Sequence, residues 1–536
     1  MMHLDPKTRA TDQPAEPTRR DKIASFMPEI NLGLLLVSLG GYALAAAVFN
    51  LHLNLQPLFT DSTSRTMHAF YTLWGHEAPH LAAIGFVWMP LPTLVQIPMV
   101  IWKPLALTGL SGGLQSALSA AATATMLEAL LRELKIGAAL RWSLVIGYMA
   151  HPMVLLYAVN GMSESMLILT LVSSCFFLMR WAQHRRVWDL LLLSAAGATA
   201  VLTRYEGLAI VAATALAIFV ISAHSRWPTM RIRVEGELLT YLAMPSYAVL
   251  LWLLFNGIIE GDPLYFFHSQ YSAMAQGVYA PEQLRQLAHD PWLTTLFVGW
   301  RVLLMAPMYL PVSALVLILA LRRRDTLAPA LTLLPLSVLA FEWGAHYQGG
   351  QFGWFRFFMY AVPGTAIAIG LLGRGCTRPS HLQPRAMATL VTLMVAGNLV
   401  AGAAMLDPDV GKEESRAFRA LLTLAPLHQE ESEEHHIADY LRENITGRRV
   451  LLDDFAGIGI VRSAGGSDLF VLTPDRDFAE VLSHPQGRVS HILVPKPERV
   501  ASLDAVNSRY PGLYDERWDF VELEREWPHW RLFRLR

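Results

Sequence analysis

Long apolar runs separated by short polar joints make up the first three quarters of the chain, with little of the striped pattern of a soluble helix. The runs stand at approximately 30-50, 111-131, 141-158, 163-180, 187-203, 206-222, 237-258, 300-321, 327-345, 356-373 and 385-406. A bilayer core of about 30 Å takes roughly 20 apolar residues of helix. Leu34 to Phe49 and Ala386 to Leu406 approach or meet that length with almost no charge. The pattern predicts an α-helical polytopic membrane protein of about 11 transmembrane helices.

One apolar segment resists this reading. Ile84 to Trp102 is broken by Pro90, Pro92 and Pro98, and a straight span there would lose several backbone hydrogen bonds. It is expected to be interfacial or re-entrant. Beyond Leu406 the chain turns charged and polar. From about Glu433, helix-like stretches alternate with β-rich ones at Arg449 to Leu452, Leu469 to Leu472, His491 to Val494, Phe520 to Leu523 and Trp530 to Leu535. The expected organisation is a polar tail at 1-28, a membrane domain at 29-406 with long loops at 51-110 and 259-299, and a small α/β domain at 407-536.

Charge then orients the spans. The total is uninformative, a net −1 on 536 residues of which 16% are charged, but the positions of Lys and Arg are not. With eleven spans, the N-terminal basic cluster, Arg132/Lys135/Arg141, Arg180/Arg185/Arg186, Arg226/Arg231/Arg233, Arg322/Arg323/Arg324 and Arg374/Arg378/Arg385 all fall on one side, which should be cytoplasmic. A twelfth span at 84-102 would scramble that asymmetry. The first span lacks a small-residue cleavage site and reads as uncleaved. Of the two cysteines, Cys175 lies in an apolar run and Cys376 in a basic loop, so neither a disulfide framework nor a cysteine metal site is expected. No His-Glu-x-x-His, Gly-Lys-Ser phosphate loop or nucleophile elbow appears in a suitable context, and no metal or nucleic acid is indicated.

The polar residues left over converge on the opposite, outer side. Asp61, Arg65 and His68 share helical spacing, with Thr60 available as N-cap; a surface ion pair is the bland alternative. Thr203-Arg204-Tyr205-Glu206-Gly207 forms the shortest joint between two spans. Arg204 there is either a snorkelling anchor or, because Arg is disfavoured on the outer side, a ligand-binding group. Arg356, among Phe352, Trp354, Phe355, Phe357, Phe358 and Tyr360, has the same outer position. Two such guanidiniums suggest a bound phosphate. Glu164 stands at a helix start after Ser163, where a carboxylate stabilises the first turn or acts directly.

In order along the chain, these motifs resemble the polytopic glycosyltransferases of the GT-C fold, the superfamily of the protein O-mannosyltransferases and the lipid A aminoarabinose transferase. The features are an acidic residue in the first outer loop (Asp61), Trp88-Met-Pro90-Leu-Pro92, Ser163-Glu164, Thr203 to Gly207, Phe355-Arg356-Phe357 and an outer C-terminal domain. The mannosyltransferases carry two consecutive acids where this chain has Asp61-Ser62, and relatives often show His-Pro-Pro where it has Met89-Pro90-Leu91-Pro92. The resemblance implies transfer of a sugar from a polyprenyl-phosphate donor to a glycan, lipid or protein hydroxyl, with inversion. Asp61 would be general base, Arg204 and Arg356 would bind the donor phosphate, and Arg65, Glu164, Glu206, His68 and Tyr205 would support them. It also implies a bacterial inner membrane, with the N-terminus cytoplasmic and the C-terminal domain extracytoplasmic. The alternative is a secondary transporter or flippase, which predicts midplane charges and an internal repeat.

Overall fold

The computed structural model describes residues 29–76, 80–223, 230–374, 382–428, 432–516 and 518–536. The N-terminal tail, Arg226, Arg378 and Cys376 lie outside them. Among the described residues, seven helices are long and apolar enough to cross a membrane: Leu32–His52, Leu110–Glu133, Glu164–His184, Ile232–Ile259, Leu327–Tyr347, Phe355–Arg374 and Pro384–Leu406. The runs at 187-203 and 206-222 form 17-residue helices, Val187–Thr203 and Gly207–Ala223. At 1.5 Å per residue these are about 25 Å long, a little short of the bilayer core.

Two expected spans are not straight helices. The run at 141-158 breaks into Ala138–Met149 and Pro152–Tyr157. Pro152 lacks the N–H that would continue the helix and starts a new one, and the His151 ring accepts from Met153 N at 3.2 Å. The run at 300-321 is cut at Ala306-Pro307-Met308, where Pro291–Met305 and Tyr309–Arg323 meet at 100°. The proline-rich segment forms only a ten-residue helix, Leu91–Val100, packed on its neighbours.

The elements used below are α1 (Leu32–Ala47), α2 (Thr60–Trp74), α3 (Leu91–Val100), α4 (Leu110–Glu133), α5 (Ala138–Met149), α6 (Pro152–Tyr157), α7 (Glu164–His184), α8 (Val187–Thr203), α9 (Gly207–Ala223), α10 (Met230–Ile259), α11 (Pro291–Met305), α12 (Tyr309–Arg323), α13 (Leu327–Tyr347), α14 (Ala361–Arg374), α15 (Leu382–Leu406) and α16 (Glu413–Thr423). Helix α4, rich in Ala, Ser and Gly, packs between α1 and α7. Its small residues let backbones approach: a Cβ on Gly113 would lie 2.5 Å from Asn50 Nδ2, and one on Gly112 would lie 3.1 Å from Gly161 Cα. Ion pairs His184–Glu133, Arg185–Glu237 and Arg374–Asp325 join the basic helix ends at one end of the bundle.

The C-terminal region forms the expected sheet from β1 (Val450–Leu451), β2 (Phe470–Val471), β3 (His491–Pro495), β4 (Val521–Glu526) and β5 (Trp530–Leu535), in the order β2-β1-β3-β5-β4. β1 runs parallel to β2 and β3, while β5 is antiparallel to β3 and β4. This unit does not hang free. Met67, Phe70 and Tyr71 of α2 share one apolar cluster with Ile437, Leu441, Ile458, Val461, Phe470, Leu493 and Trp530. The opposite face of α2 carries Asp61 and Arg65 toward the bundle, so the C-terminal unit fixes the position of the helix that bears the candidate base.

Phe70→Ala is expected to cost about 3–5 kcal/mol and to loosen the C-terminal unit first. Limited proteolysis of the purified chain should then be faster beyond residue 407 and the unfolding midpoint lower. Unchanged protease resistance would mean that the unit is held elsewhere.

Candidate active site

Helix α2 begins after Phe59, not at a Thr60 cap: Thr60 is already helical, and no side chain caps the start. Asp61 in its first turn keeps a third of its side chain exposed. Its Oδ2 lies 3.2 Å from Arg356 Nη2. Arg356 comes from the short 3₁₀ turn Phe355–Phe358 and is buried, 3% exposed. Its Nε stands 3.3 Å from Glu164 Oε1, and its Nη1 is bonded to Glu413. Trp354 covers the guanidinium at 4.0 Å.

A second guanidinium meets the same carboxylate. Arg204 Nη1 lies 2.9 Å from Glu164 Oε1, and its Nη2 lies 2.7 Å from Glu206 Oε1. Glu164 opens α7, is fully buried and bridges the two arginines from its helical first turn. Ser163 does not use its side chain as a cap. Its Oγ accepts instead from Arg65 Nη1 at 2.8 Å and from Arg204 Nη1 at 3.1 Å. Arg65, stacked 5.0 Å over Trp88, therefore bonds across to α7 rather than back to Asp61.

The structure thus brings Asp61, Arg65, Glu164, Arg204, Glu206 and Arg356 together at one end of the bundle. It does not bring His68 or Tyr205 into that cluster. His68 lies seven residues past Asp61, about 10 Å along α2. There its Nδ1 meets the Ala83 carbonyl at 2.8 Å and its Nε2 faces Asp454 of the C-terminal unit at 3.7 Å. Tyr205 donates to the Val87 carbonyl at 2.6 Å and stacks on Phe266 at 5.2 Å. It ties the 203–207 joint to the proline-rich segment and to the 259–299 loop. That loop is in turn pinned to the C-terminal unit by Tyr271, whose hydroxyl donates to Asp453 Oδ2 at 2.7 Å.

Sequence reasoning missed the acidic pair that opens α16. Glu413 shares Arg356 with Asp61, and Glu414 accepts from the Tyr157 hydroxyl at 2.8 Å. Burial pushes Glu413 up to about 7; Arg356 pulls the other way, and Glu414 and Asp61 add to the rise. Glu342 of α13 was also missed; it is buried, accepts from Gln351 and faces Glu206. The charge run Lys412-Glu413-Glu414 was visible, but no spacing relates it to a residue some 350 positions earlier. The site also explains Ser62. It is fully buried, and a Cβ on Gly161 would lie 2.2 Å from its Oγ, so a longer acidic side chain has no room there. Among the described residues, no group of three His, Cys, Asp or Glu is placed to hold a metal ion.

No family model matches this chain, and no curated protein matches it in sequence. Solved structures do match it in shape. ArnT from Cupriavidus metallidurans bound to undecaprenyl phosphate aligns over 96% of this chain and 98% of its own, with TM-score 0.55 at 12% identity. The same protein in the apo state aligns over 94% and 98%, with TM-score 0.52 at 12% identity. A fainter likeness, TM-score 0.44 at 12% identity over 87% of this chain and 69% of that one, is to the Archaeoglobus fulgidus oligosaccharyltransferase. The fold is that of the GT-C membrane glycosyltransferases.

Arg356→Gln should destabilise the chain by about 3–5 kcal/mol, because it leaves Asp61 and the buried Glu413 without their cation and Glu164 with only Arg204. Glu413→Gln should cost much less. Thermal unfolding of the two variants in detergent checks this, and equal midpoints would show that Arg356 does not hold the cluster. Gly161→Ala should also destabilise, since its φ of +80° and the close Ser62 hydroxyl both oppose a Cβ.

Proposed function

We propose that this protein is a membrane glycosyltransferase that moves a sugar from a polyprenyl-phosphate donor to an acceptor hydroxyl, with inversion and with Asp61 as general base. The observation that carries the reading is the state of Asp61. It is a third exposed, yet fixed at 3.2 Å by a buried arginine at the head of a GT-C bundle. A base needs that combination of access to the acceptor and a held orientation. The full-length likeness to a protein described as bound to undecaprenyl phosphate supports a lipid-phosphate donor.

In this reading the acceptor oxygen attacks the anomeric carbon as its proton passes to Asp61. The bond from that carbon to the phosphate oxygen breaks, and the electron pair leaves with the lipid phosphate. Arg204 and Arg356 provide fixed positive charge on the side where the leaving group gathers negative charge. Both are already engaged by carboxylates, so they hold their geometry before the donor arrives. Arg65, Glu164 and Glu206 keep them in place; His68 and Tyr205 support the surrounding walls. The positive-inside pattern favours an inner-membrane protein with its N-terminus cytoplasmic and this cluster facing outward. The acceptor is a glycan, lipid or protein hydroxyl.

Transfer of labelled sugar from a panel of polyprenyl-phosphate donors, in membranes with matched expression, tests the proposal. Asp61→Asn should lower transfer by about 10²–10⁴-fold and leave the unfolding midpoint close to that of wild type. Equal transfer by Asp61→Asn would remove Asp61 as base. Consumption of no donor by wild type would move the chain to the transporter reading.

A further inference from the structure

The cations in the cluster are not equally free to receive an anion. Arg204 and Arg356 each face at least two carboxylates within 3.3 Å. Arg65 has none, and is engaged by Ser163 Oγ at 2.8 Å and by the Trp88 ring; two neighbouring cations, Arg301 and Lys412, also have no such partner. Arg301 of α11 is 7% exposed, donates only to the Val410 carbonyl at 3.3 Å and has no hydrogen-bond partner for its Nε. Lys412 is partly buried and donates to the Phe352 carbonyl. No carboxylate lies within ion-pair distance of either among the described residues.

Three further features surround them. His346, 1% exposed, has no hydrogen-bond partner on either ring nitrogen and stacks 4.5 Å from the Phe297 ring, which also lies 5.2 Å from the Arg301 guanidinium. Lys412 occupies φ +47°, ψ −118°, a conformation that L residues avoid at a cost on the order of 1–3 kcal/mol. Its Nζ is 5.9 Å from the Trp354 ring that covers Arg356, so Lys412 stands one aromatic ring away from the partner of Asp61. On the other side, α11 turns Trp292, Leu296 and Trp300 outward to the apolar surface of the bundle. A ligand reaching Arg301 from that surface would be anionic at its head and apolar behind.

We propose that Arg301 and Lys412, with His346 as an N–H donor, form the seat of the donor lipid's phosphate. The inference rests on the transferase reading above and adds direct phosphate contacts to the fixed charge of Arg204 and Arg356. The donor is a phosphodiester with one negative charge. When its bond to the anomeric carbon breaks, the leaving lipid phosphate is a monoester carrying about −1.5 to −2 at neutral pH. Two cations with no carboxylate in ion-pair contact match the second state better than the first, so the seat stabilises the transition state more than the bound donor.

A pH signature follows. Burial pushes the Lys412 ammonium down to about 8, Arg301 adds to that, Glu414 and Glu413 oppose it, and Arg356 lowers it further. Binding of a phosphate needs the charged form. Affinity should therefore be full below pH 8 and fall above it, approaching tenfold per pH unit. The phosphate's own second ionisation, near pH 6, lies below that window.

The test titrates the full chain in detergent with undecaprenyl phosphate, read by tryptophan fluorescence, with inorganic phosphate as competitor. Lys412→Met and Arg301→Gln should each weaken binding at least about tenfold at pH 7.5, as expected for loss of a charge-assisted contact. Lys412→Arg should keep wild-type affinity at pH 7.5 and lose the decline between pH 7.5 and 9.5, an outcome that a merely structural lysine would not produce. Inorganic phosphate should compete only weakly. Wild-type affinity in Lys412→Met and Arg301→Gln, or the same pH decline in Lys412→Arg, overturns the seat while leaving the transferase reading intact, provided Asp61→Asn still abolishes transfer. Equal competition by inorganic phosphate overturns the lipid assignment. If wild type binds no undecaprenyl phosphate, the seat falls; the transferase reading falls with it only if wild type also consumes no donor of the panel.

Discussion

The site depends on one buried guanidinium. Arg356 reaches Asp61 of α2, Glu164 at the head of α7 and Glu413 at the head of α16, from a turn of its own. Four segments far apart in the chain are thus fixed by a single planar cation. Such a cation is stable in a poorly hydrated place only if its partners satisfy it, and they are tolerable there only in its presence. That mutual dependence makes the cluster rigid. It also places the acid that is open to solvent, Asp61, at the edge of the network.

Helix α2 shows how the two parts of the protein serve one site. Its polar face enters the bundle, and its apolar face belongs to the core of the C-terminal unit. A buried contact from Arg462 Nη1 to Gln56 Oε1 at 2.7 Å reinforces the seam just before the helix. The C-terminal unit therefore acts as a wall of the site. The Tyr271 bond to Asp453 brings the 259–299 loop into the same wall.

The broken helices have a comparable logic. Where α5 gives way to α6, the His151 Nε2 lies 3.0 Å from the Met305 carbonyl at the end of α11, which is also where α11 turns through 100° into α12. The two interrupted segments meet there, and the His151 ring serves the Met305 carbonyl of one and the Met153 N–H of the other, the kind of side-chain replacement that a broken helix at membrane depth requires. The turn leaves α11 with one face toward the bundle, carrying Arg301, and the other toward the apolar exterior.

What the sequence determined by itself follows from local rules. Burial in a bilayer is decided segment by segment, so the apolar runs marked most of the spans. Alternation and β-branching marked all five strands of the C-terminal sheet, and the side on which Asp61, Glu164, Arg204 and Arg356 gather was legible from the loops. The tertiary structure decided the rest. It showed that Pro152 and Pro307 interrupt their runs, that Ser163 serves two arginines and caps nothing with its side chain, and that His68 faces the C-terminal unit. It placed Glu413 beside Asp61, and it revealed that Arg204 and Arg356 are ion-paired while Arg301 and Lys412 bond only to carbonyls. Whether a charge is free depends on what lies within about 4 Å in space. Periodicity along the chain reports only the face a residue occupies, never the partner it meets there.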